Sequence, residues 1–147
     1  MSLQLNPTRY TFTVLPNGKV VQINQFDVVL VNLGNESVGY EKKGVRPAIV
    51  VSKNTMNNNS ANCIVAPLTK LSNKADKKIL KSQLILEEKK HSCLDYDSLI
   101  QFEDIRSVSK LRITEKLGEI HEDSVEDVRE KLKYIFDLQG GLYYVQS

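Results

Sequence analysis

The sequence predicts a mainly β domain, a small barrel or sandwich of short strands, closed by one amphipathic helix. Two observations carry most of that reading. Five short apolar runs rich in Val, Ile and Leu alternate with separators of Asn, Gly, Ser and Lys, as in small all-β domains. After Gly118 the hydrophobic period changes from that of a strand to that of a helix.

The elements follow in order. Tyr10, Phe12 and Val14 alternate with threonines, Pro16-Asn17-Gly18 supplies turn chemistry, and Val20-Val21-Gln22-Ile23 returns. This predicts an N-terminal hairpin extension over residues 1–25. Strands are then expected at 26–33, 47–52, 62–69 and 83–87, with 98–108 as the last long one. The Asn-rich stretch 54–60 reads as a loop. Val125, Val128, Leu132, Ile135 and Phe136 share one helical face. Ser124 or Asp123 is the expected cap, and Gly140-Gly141 the stop. Leu142-Tyr143-Tyr144-Val145 would pack back or pair at an edge. No internal repeat or long linker interrupts the chain, so residues 1–147 are expected to be one domain.

Composition narrows the function classes modestly. A net charge of +2 neither demands nor forbids nucleic acid, because a local basic patch suffices to bind it. Cys63 and Cys93 make no disulfide framework and no CxxC motif, and Cys63, inside an apolar run, reads as a buried reduced thiol. Residues 1–6 lack the pattern of a secretory leader, and no apolar stretch could span a bilayer. A cytoplasmic protein without membrane association is the expectation. His91 and His121 have no metal-ligand spacing and read as solvated or capping residues. No nucleophilic triad signature and no glycine-rich phosphate loop is present.

One charged residue stands out. Arg46 sits at the mouth of an apolar run, and Pro47 holds it in extended backbone, so its guanidinium leaves the strand in a defined direction. Such a cation needs an anion: either a neighbouring carboxylate or a ligand phosphate. A second run, 62–69, ends on Thr69.

Phe26-Asp27-Val28-Val29-Leu30-Val31-Asn32-Leu33, the polar Gly39-Tyr40-Glu41-Lys42-Lys43-Gly44 loop and Val45-Arg46-Pro47-Ala48-Ile49-Val50-Val51 together resemble the MazF/PemK toxin endoribonucleases. The pattern continues in Asn62-Cys63-Ile64-Val65-Ala66-Pro67-Leu68-Thr69, and in Gln101-Phe102-Glu103-Asp104-Ile105-Arg106. It closes with Leu111-Arg112 and Leu117-Gly118-Glu119-Ile120, so the similarity spans residues 26–138. The resemblance implies an SH3-like small β-barrel of the CcdB/PemK/MazF kind with added helices, normally a homodimer whose site is covered by a cognate antitoxin. It implies cleavage of single-stranded RNA without metal or other cofactor, leaving 2′,3′-cyclic phosphate and 5′-hydroxyl ends.

By that resemblance Arg46 is the main catalytic residue and Thr69 the second. A guanidinium stays protonated, so Arg46 suits transition-state stabilisation and not base catalysis. Glu103 is the candidate base, or else a strand carboxylate paired with Arg106; Asp104 follows it where relatives carry Gln, and Arg106 is assigned a structural role. Glu41 matches a family acidic position. Tyr40, where relatives often have Ser, is placed to stack on an unpaired base. Lys70, Lys74 and Lys77 lead a lysine-rich segment suited to guiding the RNA backbone, or simply solvated. Two rivals share the fold: a CcdB-like gyrase poison, against which the Arg46/Thr69 pair argues, and a non-catalytic RNA-binding barrel.

Overall fold

A computed structural model describes residues 7–34, 44–74 and 78–138. The predicted strands form where β-branched residues cluster: β1 (Thr13–Val14), β2 (Val20–Val21), β3 (Asp27–Asn32), β4 (Val45–Val50), β5 (Asn62–Lys70) and β6 (Gln83–Leu86). The expected strand 98–108 is split into β7 (Ser98–Gln101) and β8 (Arg106–Ser109) by a 3-10 turn at Phe102–Asp104. Phe102 explains the break, because the turn buries its ring in the core.

Two elements were not expected. Asn54–Asn59 is a short helix, α1, and not a loop. Asparagine is a poor helix former, but here long-range bonds hold the turn. Asn57 Nδ2 donates to Ser52 O, Gln25 N–H donates to Asn54 Oδ1, and Lys110 Nζ donates to Asn57 O. Ile113–Glu119 forms β9, an edge strand that pairs with β3. Its Glu, Lys and Gly dilute the strand propensity of Ile113 and Thr114, so the pairing depends on its neighbour.

All pairings are antiparallel. The main sheet runs β6-β7-β5-β4-β3-β9, with β8 also on β5. Among the described residues β6 and β9 do not pair, so the path is open and the closure of an SH3-like barrel is not seen. β1 and β2 pair separately, Thr13 with Val21 and Val14 with Val20. Gly18 makes the turn between them with φ +86°, a conformation that favours glycine.

The pleat sorts the core by parity. Val28, Ile49, Ala66, Leu68 and Ile100 point to one face, which α2 (Glu122–Phe136) covers with Val125, Val128, Leu132 and Ile135. Val29, Val31, Ala48, Val50, Cys63 and Val65 point to the other, where Leu15 and Ile23 of the N-terminal extension join Val108 and Ile113. The extension is therefore part of the core. Lys110, buried among these elements, also donates through Nζ to Tyr10 O, and burial lowers its pKa.

α2 begins one turn earlier than Ser124, because His121 is its N-cap: Nδ1 accepts from the Asp123 N–H. The helix ends at Asp137 in the left-handed conformation, so its stop precedes Gly140-Gly141, which lie outside the described residues together with 142–145. His121 thus caps as expected, but His91 is buried, not solvated. Its Nδ1 lies 2.8 Å from Glu87 O, and its Nε2 accepts the His121 N–H at 3.0 Å. Those partners select the Nδ1–H tautomer. Cys63 is fully buried, and burial pushes its thiol up to about 11. No helix among the described residues is long and apolar enough to cross a membrane.

Candidate functional site: Arg46 and Thr69 on one sheet face

Arg46 lies on β4 opposite Val31 of β3, so it points to the face away from α2. Across the other edge of β4, the ladder with β5 pairs Val50 with Val65, Ile49 with Ala66 and Ala48 with Pro67. The paired residues end there; the same register continued two steps would set Arg46 opposite Thr69. Directly opposed positions of an antiparallel pair have Cβ atoms about 5 Å apart on the same face. The hydrogen-bonded ladder stops just before that point. Pro47, whose continued register partner is Leu68, has no N–H to extend it. Continued register would thus bring a cation and a hydroxyl to one face where the β4–β5 ladder ends. Both side chains are half-buried.

Just before Arg46, Leu33 and Gly34 are bonded to Gly44. Leu33 N–H donates to Gly44 O at 2.9 Å and Gly44 N–H to Gly34 O at 2.6 Å. Gly34 and Gly44 have φ of +88° and +79°. These bonds bring the two ends of segment 35–43 together just before Arg46. Tyr40 and Glu41, expected to contact RNA, belong to that segment and lie outside the described residues, as does Lys77.

On the edge away from β4, β5 passes from β8 to β7 at Leu68. Thr69 pairs with Leu99 and Lys70 with Ser98 of β7. Lys70 is exposed, and its Nζ lies 4.9 Å from the centre of the Tyr96 ring. Lys74 continues the basic segment, its N–H bonded to Leu71 O.

Glu103 sits on the 3-10 turn, exposed, where its Oε2 accepts from Gln83 Nε2 at 2.7 Å. Among the described residues no ion pair joins Glu103 to Arg106, which lies on β8 opposite Val65. The register puts Leu99, not Glu103, beside Thr69. Glu103 is two strand steps and two 3-10 steps further on, roughly 10 Å along the chain. The β4–β5 ladder thus ends two residues short of an Arg46–Thr69 pair, Lys70 follows Thr69 on β5, and Glu103 lies beside Gln83 on the 3-10 turn. Among the described residues no three His, Cys, Asp or Glu side chains are grouped to hold a metal ion.

Sequence reading missed Tyr96 and Gln83. Tyr96 had a local signal, an aromatic between Asp95 and Asp97 just before a strand, but its contact with Lys70 arises only because Ser98, two residues on, pairs with Lys70. Gln83 gave none, because only the β6–β7 pairing brings it to Glu103.

Comparison with known proteins points one way. Residues 24–136 match the model of the family described as PemK-like, MazF-like toxin of type II toxin–antitoxin systems. A protein of Staphylococcus saprophyticus named Endoribonuclease MazF is 32% identical over 121 residues, which cover 82% of this chain and 93% of that relative. The crystal structure of MazF from Deinococcus radiodurans superposes with a TM-score of 0.62 at 25% identity, covering 78% of this chain and 96% of that one. A mycobacterial endoribonuclease solved in complex with its cognate antitoxin gives a TM-score of 0.61 at 17% identity, covering 81% and 99%.

Proposed function

This chain belongs to the PemK-like, MazF-like toxins of type II toxin–antitoxin systems, and from that premise we propose that it is an endoribonuclease that cuts single-stranded RNA without a metal. What supports the reading is the family membership together with the β4–β5 ladder from Val50–Val65 to Ala48–Pro67, whose register, continued two steps, would bring Arg46 opposite Thr69. RNA contains its own nucleophile, the 2′-hydroxyl, so the protein need only position the backbone and stabilise the charge that develops on phosphorus. A planar guanidinium meets two nonbridging oxygens at once and stays charged throughout. Arg46 fills that role, and Thr69 Oγ1 donates a hydrogen bond beside it.

Glu103 takes the 2′-hydroxyl proton in this scheme. Its support is its family position and its exposed carboxylate, whose other oxygen remains available beside the Gln83 contact. The 2′-oxygen attacks phosphorus and the bond to the 5′-oxygen breaks. That oxygen takes a proton from water, leaving 2′,3′-cyclic phosphate and 5′-hydroxyl ends. Lys70, Lys74 and Lys77 guide the RNA backbone, and Tyr40 and Glu41 contact the substrate from the loop before Arg46. Base selectivity, an SH3-like barrel closure, homodimerisation and capture by a cognate antitoxin complete the proposal, each supported by the family resemblance.

Purified protein incubated with a long RNA and excess EDTA tests it. Discrete cleavage, with cyclic phosphate and 5′-hydroxyl termini at the cut, is the expected result. Activity lost with EDTA and restored by Mg²⁺ or Mn²⁺ would refute the mechanism. Glu103→Gln, which preserves an acceptor for Gln83, should slow the cut; wild-type rates in that variant would remove Glu103 from the chemistry.

A further inference from the structure

At the end of β5, starting from the residue after Thr69, lies a hollow of about 340 Å³, bounded by Lys70 and Ser72 and by Glu88, Asp95, Tyr96 and Asp97 from the segment before β7. Its volume is at the lower end of the range for small-ligand sites. Its frame is tied down. Leu71 N–H donates to Asp97 O at 3.0 Å, Asp97 Oδ1 accepts the Glu88 N–H at 2.9 Å, and Ser98 Oγ donates to Tyr96 O at 3.1 Å. Tyr96 itself is 38% exposed, with the Lys70 ammonium over its ring. The hollow begins one residue from Thr69, because Lys70–Ser98 is the next rung of the ladder after Thr69–Leu99.

Its charge argues against a phosphate as the occupant. Lys70 is one cation facing Glu88, Asp95 and Asp97, so an anion is repelled. An unpaired base suits the same lining well. A tyrosine face stacks on any base. Free carboxylate oxygens accept from the exocyclic amino group of cytosine, adenine or guanine, as acidic side chains do at cytosine in duplex DNA. Uracil has no amino group and would turn carbonyl oxygens toward the carboxylates.

We propose that this hollow is a nucleobase subsite: Tyr96 stacks a base flanking the scissile phosphate, Lys70 moves from the ring to the backbone, and Asp95 with Glu88 selects against uracil. The proposal rests on the endoribonuclease reading and adds to it a residue that sets specificity. In mechanism the stack is a binding contact, so it acts on KM and leaves kcat near its wild-type value.

The test is steady-state cleavage of short RNAs with one cut site, each nucleotide flanking the cut being varied through all four bases. Wild type, Tyr96→Ala, Tyr96→Phe and Asp95→Asn are compared, with a thermal melt of each variant. Tyr96→Ala should raise KM roughly 5- to 150-fold, the range of a base–aromatic stack of about 1–3 kcal/mol. Tyr96→Phe should stay near wild type, because the ring is kept. Asp95→Asn should narrow the preference against uracil at one flanking position without lowering kcat. A 2-aminopurine at that position should lose its fluorescence on binding wild type and keep it with Tyr96→Ala. If wild type cuts no RNA, the endoribonuclease reading has failed and this subsite falls with it. If wild type cuts, but Tyr96→Ala shows unchanged KM and base preference, only the subsite is overturned. Weakened capture of an antitoxin by Tyr96→Ala, with RNA kinetics intact, would overturn it in favour of a protein-binding site.

Discussion

Leu15→Ala is predicted to destabilise the whole domain, although Leu15 precedes the family-like region. Leu15 is 3% exposed and packs with Ile23, Val29, Val31 and Ile113 on the sheet face opposite α2. Truncation to alanine removes three carbons, worth about 2.5 kcal/mol at ~0.8 kcal/mol each. The cavity left behind brings the cost to about 3 kcal/mol, inside the range of roughly 2–5 kcal/mol for buried leucines. For a chain of this size that corresponds to a fall in melting temperature of about 6–12 °C. Val14→Ala is the matched control: its side chain is 66% exposed, so the change should stay within about 0.5 kcal/mol. Thermal denaturation followed by circular dichroism, checked by urea titration, reads both. A Leu15→Ala melt within 2 °C of the Val14→Ala melt would show that the extension is an appendage, and that the second core does not depend on it.

Other outcomes follow from single contacts. A Cβ on Gly118 would meet Cys93 Cβ at 2.9 Å and Sγ at 3.1 Å, so Gly118→Ala should cost about 1–3 kcal/mol in urea unfolding, largely relieved by adding Cys93→Gly. Cys63 should resist thiol reagents in the native protein at pH 8 and react on unfolding, since burial both hides it and disfavours its thiolate. Asp27 is buried, and desolvation raises its pKa above 3.8 against the opposing bonds from Asn24 N–H and Lys116. The folded state therefore holds this proton more tightly than the unfolded chain. Its contribution should rise as pH falls through the raised folded value and level off below 3.8. Relative to Asp27→Asn, wild type should gain stability across that window in pH-dependent urea melts, and a difference that does not vary with pH would refute the sign.

The legible parts of the fold were those whose signal is local. β-branched runs gave the strands of the sheet, and apolar spacing gave α2. α1 was not legible, because asparagines have no helical preference and Lys110, distant in sequence, supplies one of its ties. β9 was hidden by its Lys- and Glu-bearing sequence, and the break in the 98–108 run by the need to bury Phe102. At the site, Arg46 and Thr69 were visible as motif residues, but how the two strands that carry them align is a property of register and not of either run. Tyr96 acquires meaning only from the rung that puts Lys70 beside its strand.

The central claim is that Arg46 stabilises the phosphorane while contributing little to the core. Single-turnover cleavage by Arg46→Ala, with its melt recorded alongside, tests it most directly. Loss of one preorganised charged donor should slow the cleavage step by about 10²–10³. Arg46→Lys should remain well below wild type, because an ammonium cannot reproduce the two-pronged contact. A folded Arg46→Ala protein that cuts RNA at close to the wild-type rate would contradict the account and move the active site elsewhere.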